Sequence, residues 1–100
     1  IMEEYVKVDQ RKKVSHLQKQ FREEFGIEIR VYKGSNFADD VVLSTLSPSG
    51  TKGGDIDFGT NTKVKNVEKA FMKVMGIKVQ VERKDGKLAD NEKTLAAAAK

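Results

Sequence analysis

Moved along itself by fifty positions, this chain meets its own pattern. Val6 falls on Ile56 and Val8 on Phe58, then Lys13-Val14 on Lys63-Val64, Leu17 on Val67, Lys19 on Lys69 and Phe21 on Phe71. Gly26-Ile27 falls on Gly76-Ile77, Ile29 on Val79 and Val31 on Val81, without a gap. The register then slips by one, and Phe37-Ala38-Asp39 falls on Leu88-Ala89-Asp90. An internal period this long restricts the architecture strongly, because each copy has to bury the same apolar face. Two copies are too few for a solenoid, so they are expected to close on one another around one core.

Each copy reads as strand, helix, strand. Val6 and Val8 alternate with polar neighbours, as in a short half-buried strand. Val14, Leu17, Phe21 and Phe25 recur at helical spacing, and Gly26 stands where a left-handed C-cap belongs. Ile27, Ile29 and Val31 alternate with Glu28, Arg30 and Tyr32, a strand with one wet face. In the second copy the strand is Ile56–Phe58 and the helix carries Val64, Val67, Phe71 and Val74. Gly76 ends that helix, and the next strand is Ile77, Val79 and Val81. The order β-α-β, link, β-α-β predicts an α+β, ferredoxin-like two-layer sandwich with pseudo-twofold symmetry. The single domain spans 1–100. Its repeats cover about 1–46 and 55–100, and a flexible linker, 47–54, joins them; that linker holds the only proline and three of the eight glycines. Val41–Leu46 is short enough to be either helix or edge strand.

From Ile56 to Ile77 the spacing resembles the strand–helix stretch of ubiquitin-like domains. Gly86-Lys87-Leu88-Ala89-Asp90 with Thr94-Leu95 is similar to their strand, turn and "TL" region. That resemblance implies, as the alternative fold, a β-grasp in the second half, with Val41–Leu46 as a strand paired to Ile56–Phe58. Gly76 running straight into Ile77 departs from it, because such domains spend several residues there.

Composition excludes several function classes. The chain has no cysteine, so disulfides, thiolate catalysis and cysteine metal clusters are out, and a cytoplasmic location is expected. No apolar run approaches a membrane span, and the acidic Ile1-Met2-Glu3-Glu4 has no apolar h-region of the kind a secretory signal needs. His16 is the only histidine and lies opposite the apolar stripe of its helix, with no partner for acid–base work. Gly50, Gly53 and Gly54 lack the lysine-serine ending of a phosphate loop and lead into a strand rather than a helix. No set of metal ligands at suitable spacing is visible, so neither cofactor nor metal is expected and the chain reads as non-enzymatic.

The apolar-alanine-acid steps Phe37-Ala38-Asp39-Asp40 and Leu88-Ala89-Asp90-Asn91 are expected to start two short helices. Asp or Asn would supply the N-cap, and Phe37 or Leu88 an apolar staple. Two surfaces remain as functional candidates. Tyr5, Arg30 and Tyr32 on the sheet face are residue types found at interface anchors, and exposed outer strands can pair with another chain. They suggest a small protein–protein interaction or self-association domain, its partner a protein or the chain itself. Lys63, Lys65, Lys69 and Lys73 form a stripe on the second helix. They offer the alternative of a nucleic-acid-binding module that grips phosphates. The net charge of +4 lies wholly in residues 51–100, where eleven basic side chains face seven acidic ones, against eight and eight in the first half. The sheet face, with two tyrosines among several acids, reads as a poor platform for stacking RNA bases.

Overall fold

The computed structural model describes residues 5–99, with Tyr5 described by its backbone only. The acidic segment Ile1–Glu4 therefore lies outside the described residues. The elements are β1 (Tyr5–Val8), α1 (Val14–Phe25), β2 (Glu28–Lys33), β3 (Asn36–Phe37), α2 (Leu43–Leu46), β4 (Ile56–Gly59), α3 (Val64–Ala70), β5 (Val79–Glu82) and α4 (Leu95–Ala98). A π-helical turn, Phe71–Met75, continues α3 up to Gly76. This is a small α+β fold in which all strand pairing is antiparallel.

Hydrogen bonds divide the strands into two sheets, β1-β4 and β3-β2-β5, where one continuous sheet was expected. The β-grasp alternative is corrected here. Val41–Leu46 is no strand; it carries one bridge, Lys13↔Val42, and then the helical turn α2. The partner of β4 is β1. Both long ladders join the first fifty residues to the second, and both are symmetric under the fifty-residue shift. Val6 pairs with Phe58 and Val8 with Ile56, so Lys7 faces Asp57, its own counterpart. Glu28 pairs with Glu82 and Val31 with Val79, so Arg30 faces Gln80, again its own counterpart.

Alternation decides which faces are buried. Ile29 and Val31 of β2 and Val79 and Val81 of β5 are buried, while Glu28, Arg30, Tyr32, Gln80 and Glu82 are partly exposed on the opposite face. Beneath the sheets, Val14, Leu17, Phe21 and Phe25 of α1 are all buried. In the second copy Val64, Val67, Phe71 and Met75 are buried. Met75, rather than the expected Val74, takes the place that matches Phe25, since the stripe keeps the same three-, four- and four-residue steps. Phe58 of β4 joins the copies, with its ring 5.9 Å from Phe21 and 5.5 Å from Phe71. Aromatic rings at such spacing add directional attraction to the area they bury.

Helix starts are capped across the chain. The first N–H groups of a helix have no partner inside it. In α1, Val14 N–H donates to the Val41 carbonyl and Ser15 N–H to Asp40 Oδ1, at 3.0 and 2.9 Å. In α3, Val64 N–H donates to the Lys93 carbonyl and Lys65 N–H to the Asn91 carbonyl. The short helices return the favour: Leu43 and Ser44 donate to Lys12 and Gln10, and Leu95 and Ala96 to Thr62 and Thr60. The caps expected at Asp39, Asp40, Asp90 and Asn91 are thereby corrected. The N-cap of α2 is Val42, without a side-chain bond, and that of α4 is Thr94, whose Oγ1 accepts from Ala97 N–H. Asp40 caps α1 instead, and Asp90 accepts from Glu92 N–H in a local turn.

The segment between the copies lies on the end of the second long helix. A Cβ on Gly76 would come 2.6 Å from Pro48 Cδ, so that ring sits directly over the αL glycine at φ 68°. Only glycine combines that φ with that approach.

Candidate interaction face on the three-stranded sheet

The outer face of β3-β2-β5 collects the sheet-face candidates. On β2 the even-numbered residues point outward, and cross-strand pairing sets their neighbours. Arg30 Nε donates to Glu82 Oε2 at 2.5 Å, and its Nη2 donates to the Gly86 carbonyl at 2.9 Å. Both side chains are about a quarter exposed. Glu82, first through its hydrogen bond, holds the Arg30 guanidinium above its ordinary pKa. Tyr32 OH donates to Gln80 Oε1 at 2.7 Å, and Lys78 Nζ sits 5.1 Å from the centre of the Tyr32 ring. Glu28 takes two contacts from Arg22. The structure thus brings Arg30 and Tyr32 onto one face, while the Tyr5 side chain lies outside the described residues.

Phe37 completes this face, and sequence reasoning placed it elsewhere. It is no staple: it is 66% exposed, its ring 5.3 Å from that of Tyr32. Leu88, its counterpart beside β5, is 47% exposed next to Glu82. A signal was present in the sequence, because an apolar residue two positions after the Gly34-Ser35 turn continues the outward row of a hairpin. β3 stops at Phe37, whereas β2 extends on to Glu28. That difference leaves an open cleft beside β2, lined by Gln18, Glu28, Ile29, Arg30, Ala38 and Phe37 itself, among others. Gln18 Nε2 donates to the Ile29 carbonyl at the back of the cleft, in the place a longer β3 would occupy.

The lysine stripe is divided. Lys63 and Lys65 both reach Glu92, at 3.8 and 3.0 Å, and Glu92 is held below its ordinary pKa first by the Lys65 hydrogen bond. Lys69 and Lys73 are exposed and have no acidic partner within ion-pair distance among the described residues. His16 is exposed. Among the described residues no group of three His, Cys, Asp or Glu could hold a metal ion, and no helix is long and apolar enough to cross a membrane. No family model, no curated protein and no solved structure matches the chain.

Proposed function

We propose that this chain is a tandem duplication folded into a non-enzymatic protein-interaction domain, with the outer face of β3-β2-β5 as its working surface. The observation that carries this reading is Phe37, a large aromatic side chain left mostly in water, its ring tilted against that of Tyr32 beside Arg30 and Lys78. Exposed apolar surface of this kind has a cost unless something covers it, and aromatic and arginine side chains dominate interface energetics. The polar groups of the face are already bonded to one another, Arg30 to Glu82 and Tyr32 to Gln80. That arrangement suits a rigid platform rather than acid–base chemistry, which needs a group free to move a proton. A photo-crosslinking side chain at position 37, in the cells that make this chain, tests the reading. A specific adduct from position 37 and none from Lys73 is expected. No adduct from position 37 would overturn it.

A second reading, nucleic-acid binding by the α3 stripe, is favoured by Lys69 and Lys73, two exposed cations one turn apart with no acidic partner within ion-pair distance among the described residues. A gel shift with a short duplex at two salt concentrations tests it. No shift at the lower concentration sinks it, since phosphate contacts strengthen as salt falls.

A further inference from the structure

We infer that the partner docks by strand addition: an extended segment of it, uncharged where it touches, lies along the open edge of β2 beside Glu28–Val31. This rests on reading the β3-β2-β5 sheet as the working surface, and it adds what the partner has to present there.

The backbone of β2 is paired on one side and open on the other. In an antiparallel ladder, alternate residues bond the neighbouring strand and the rest turn their N–H and C=O groups away. Tyr32 N–H donates to the Lys78 carbonyl, so Arg30 and Glu28 also direct their backbone groups to β5. Ile29 and Val31 therefore turn theirs to the opposite edge. Their side chains are buried on the helix side of the sheet, so main chain is what they show to the cleft. The Val31 carbonyl accepts from Ala38 N–H, and the Ile29 carbonyl from Gln18 Nε2. Among the described residues, the N–H groups of Ile29 and Val31 have no acceptor. An enclosed N–H without an acceptor is costly, and a carbonyl of an added strand supplies one.

The two copies differ at this point. Gln18 of α1 matches Glu68 of α3, and Val31 matches Val81. Ala89 N–H donates to the Val81 carbonyl, just as Ala38 N–H donates to that of Val31. In the second copy the Glu68 carboxylate also accepts from Val81 N–H. Gln18 donates its amide to Ile29 instead. The edge of β5 is thus closed at Val81, while that of β2 is open at Val31.

Size and charge define the occupant. The cleft holds about 360 Å³. The edge from Glu28 to Val31 runs for about 10 Å, which matches about three residues of extended chain. The charged groups that line the cleft are answered within the chain, Glu28 by Arg22 and Arg30 by Glu82. A charged side chain entering there would stand without a counter-ion, so the added stretch is uncharged. Phe37, on the rim, offers an apolar side chain of that stretch a surface to cover.

Panning a phage library of linear heptapeptides against the full chain tests this. The expected result is an uncharged, strand-forming motif. A synthetic peptide carrying the motif should slow hydrogen exchange at the Ile29 and Val31 amides. Gln18→Glu, which copies the second helix, should weaken that peptide about tenfold by taking Val31 N–H, whereas Gln18→Ala should not weaken it. Position 18 is only partly buried, so far-ultraviolet circular dichroism should be unchanged in both variants. A motif rich in charge overturns the inference, as does a peptide that protects other amides or ignores Gln18→Glu. No motif at all, with position 37 still crosslinking to a protein, also overturns it yet leaves the interaction reading standing. No motif and no adduct overturns both.

Discussion

Arg30 and Gln80 face each other across β2 and β5, and each stands where the fifty-residue shift would place the other. Lys7 and Asp57 have the same relationship in the other sheet. The two pairs mark where the halves of the chain meet. The core between them is shared, since Phe58 lies between Phe21 of one half and Phe71 of the other. Phe58→Ala should therefore loosen both halves together, at a cost of about 3–5 kcal/mol, the usual range for emptying a buried aromatic site. Phe37→Ala, at an exposed position, should stay within about 0.5 kcal/mol. Urea titration followed by circular dichroism checks both, and a Phe58→Ala loss below that of Phe37→Ala would contradict the shared core.

Two glycines in equivalent caps should respond differently to the same change. Gly26 and Gly76 both have φ near 70°, so alanine at either incurs left-handed strain of roughly 1–2 kcal/mol. At Gly26 the new methyl would meet only Ala99 and Lys84, at 3.8 Å; at Gly76 it would meet the Pro48 ring at 2.6 Å. Gly76→Ala should be the more destabilising, and adding Pro48→Ala should remove the difference. Thermal melts of the three variants measure it. Equal losses at both glycines would show that the segment around Pro48 gives way freely.

Glu68 sets a pH dependence of unusual sign for a carboxylate. Burial is the main cause lifting its pKa above the ordinary 4.5, partly opposed by a bond accepted from Val81 N–H. A raised folded-state pKa means stability that is complete below the unfolded pKa and lost as pH rises through the folded one. Glu68→Gln, which copies the matching Gln18 of α1, should equal the parent in acid and exceed it in stability at neutral pH. Denaturation midpoints at several pH values check this, and a gap that widens toward acid would reverse the sign.

Asp40 should do the opposite. Its pKa lies below the ordinary 3.8, first because of the bond from Ser15 N–H at the start of α1. Its contribution is present above the unfolded pKa and fades as pH falls through the folded one. Asp40→Ala should lower the melting temperature by a few degrees at neutral pH, through loss of the cap, and by progressively less in acid. An undiminished effect under strongly acidic conditions would count against the carboxylate as the cap.

Much of the fold was legible because local periodicity is set by burial. Val14, Leu17, Phe21 and Phe25 had one face to hide, and Ile29 and Val31 alternated with wet neighbours, so helix and strand followed. Partner choice was not legible. A two-residue alternation is the same whichever strand lies alongside, so nothing in Ile27–Val31 indicated that β2 would pair with β5. The acidic residues show the same limit. Asp40 looked like a cap and is one, but the helix it caps begins twenty-six residues earlier, at Val14. Phe37 was misplaced because an apolar residue before an acid fits a staple as well as it fits the end of a hairpin. Its exposure depends on how soon β3 ends, which is a tertiary matter.

The ladders that join the two halves bear on the proposed duplication. Its long ladders, and the bridges that start both short helices, join the two halves or link distant parts of one half. On the proposed duplication, a single ancestral copy would have had no mate for its first strand, and only the two-residue β3 for its second, unless two molecules met. The segment 47–54 then turns an encounter between molecules into one within a chain, as a tether that raises local concentration. Separately expressed halves of this protein should accordingly be idle alone and reassemble when mixed.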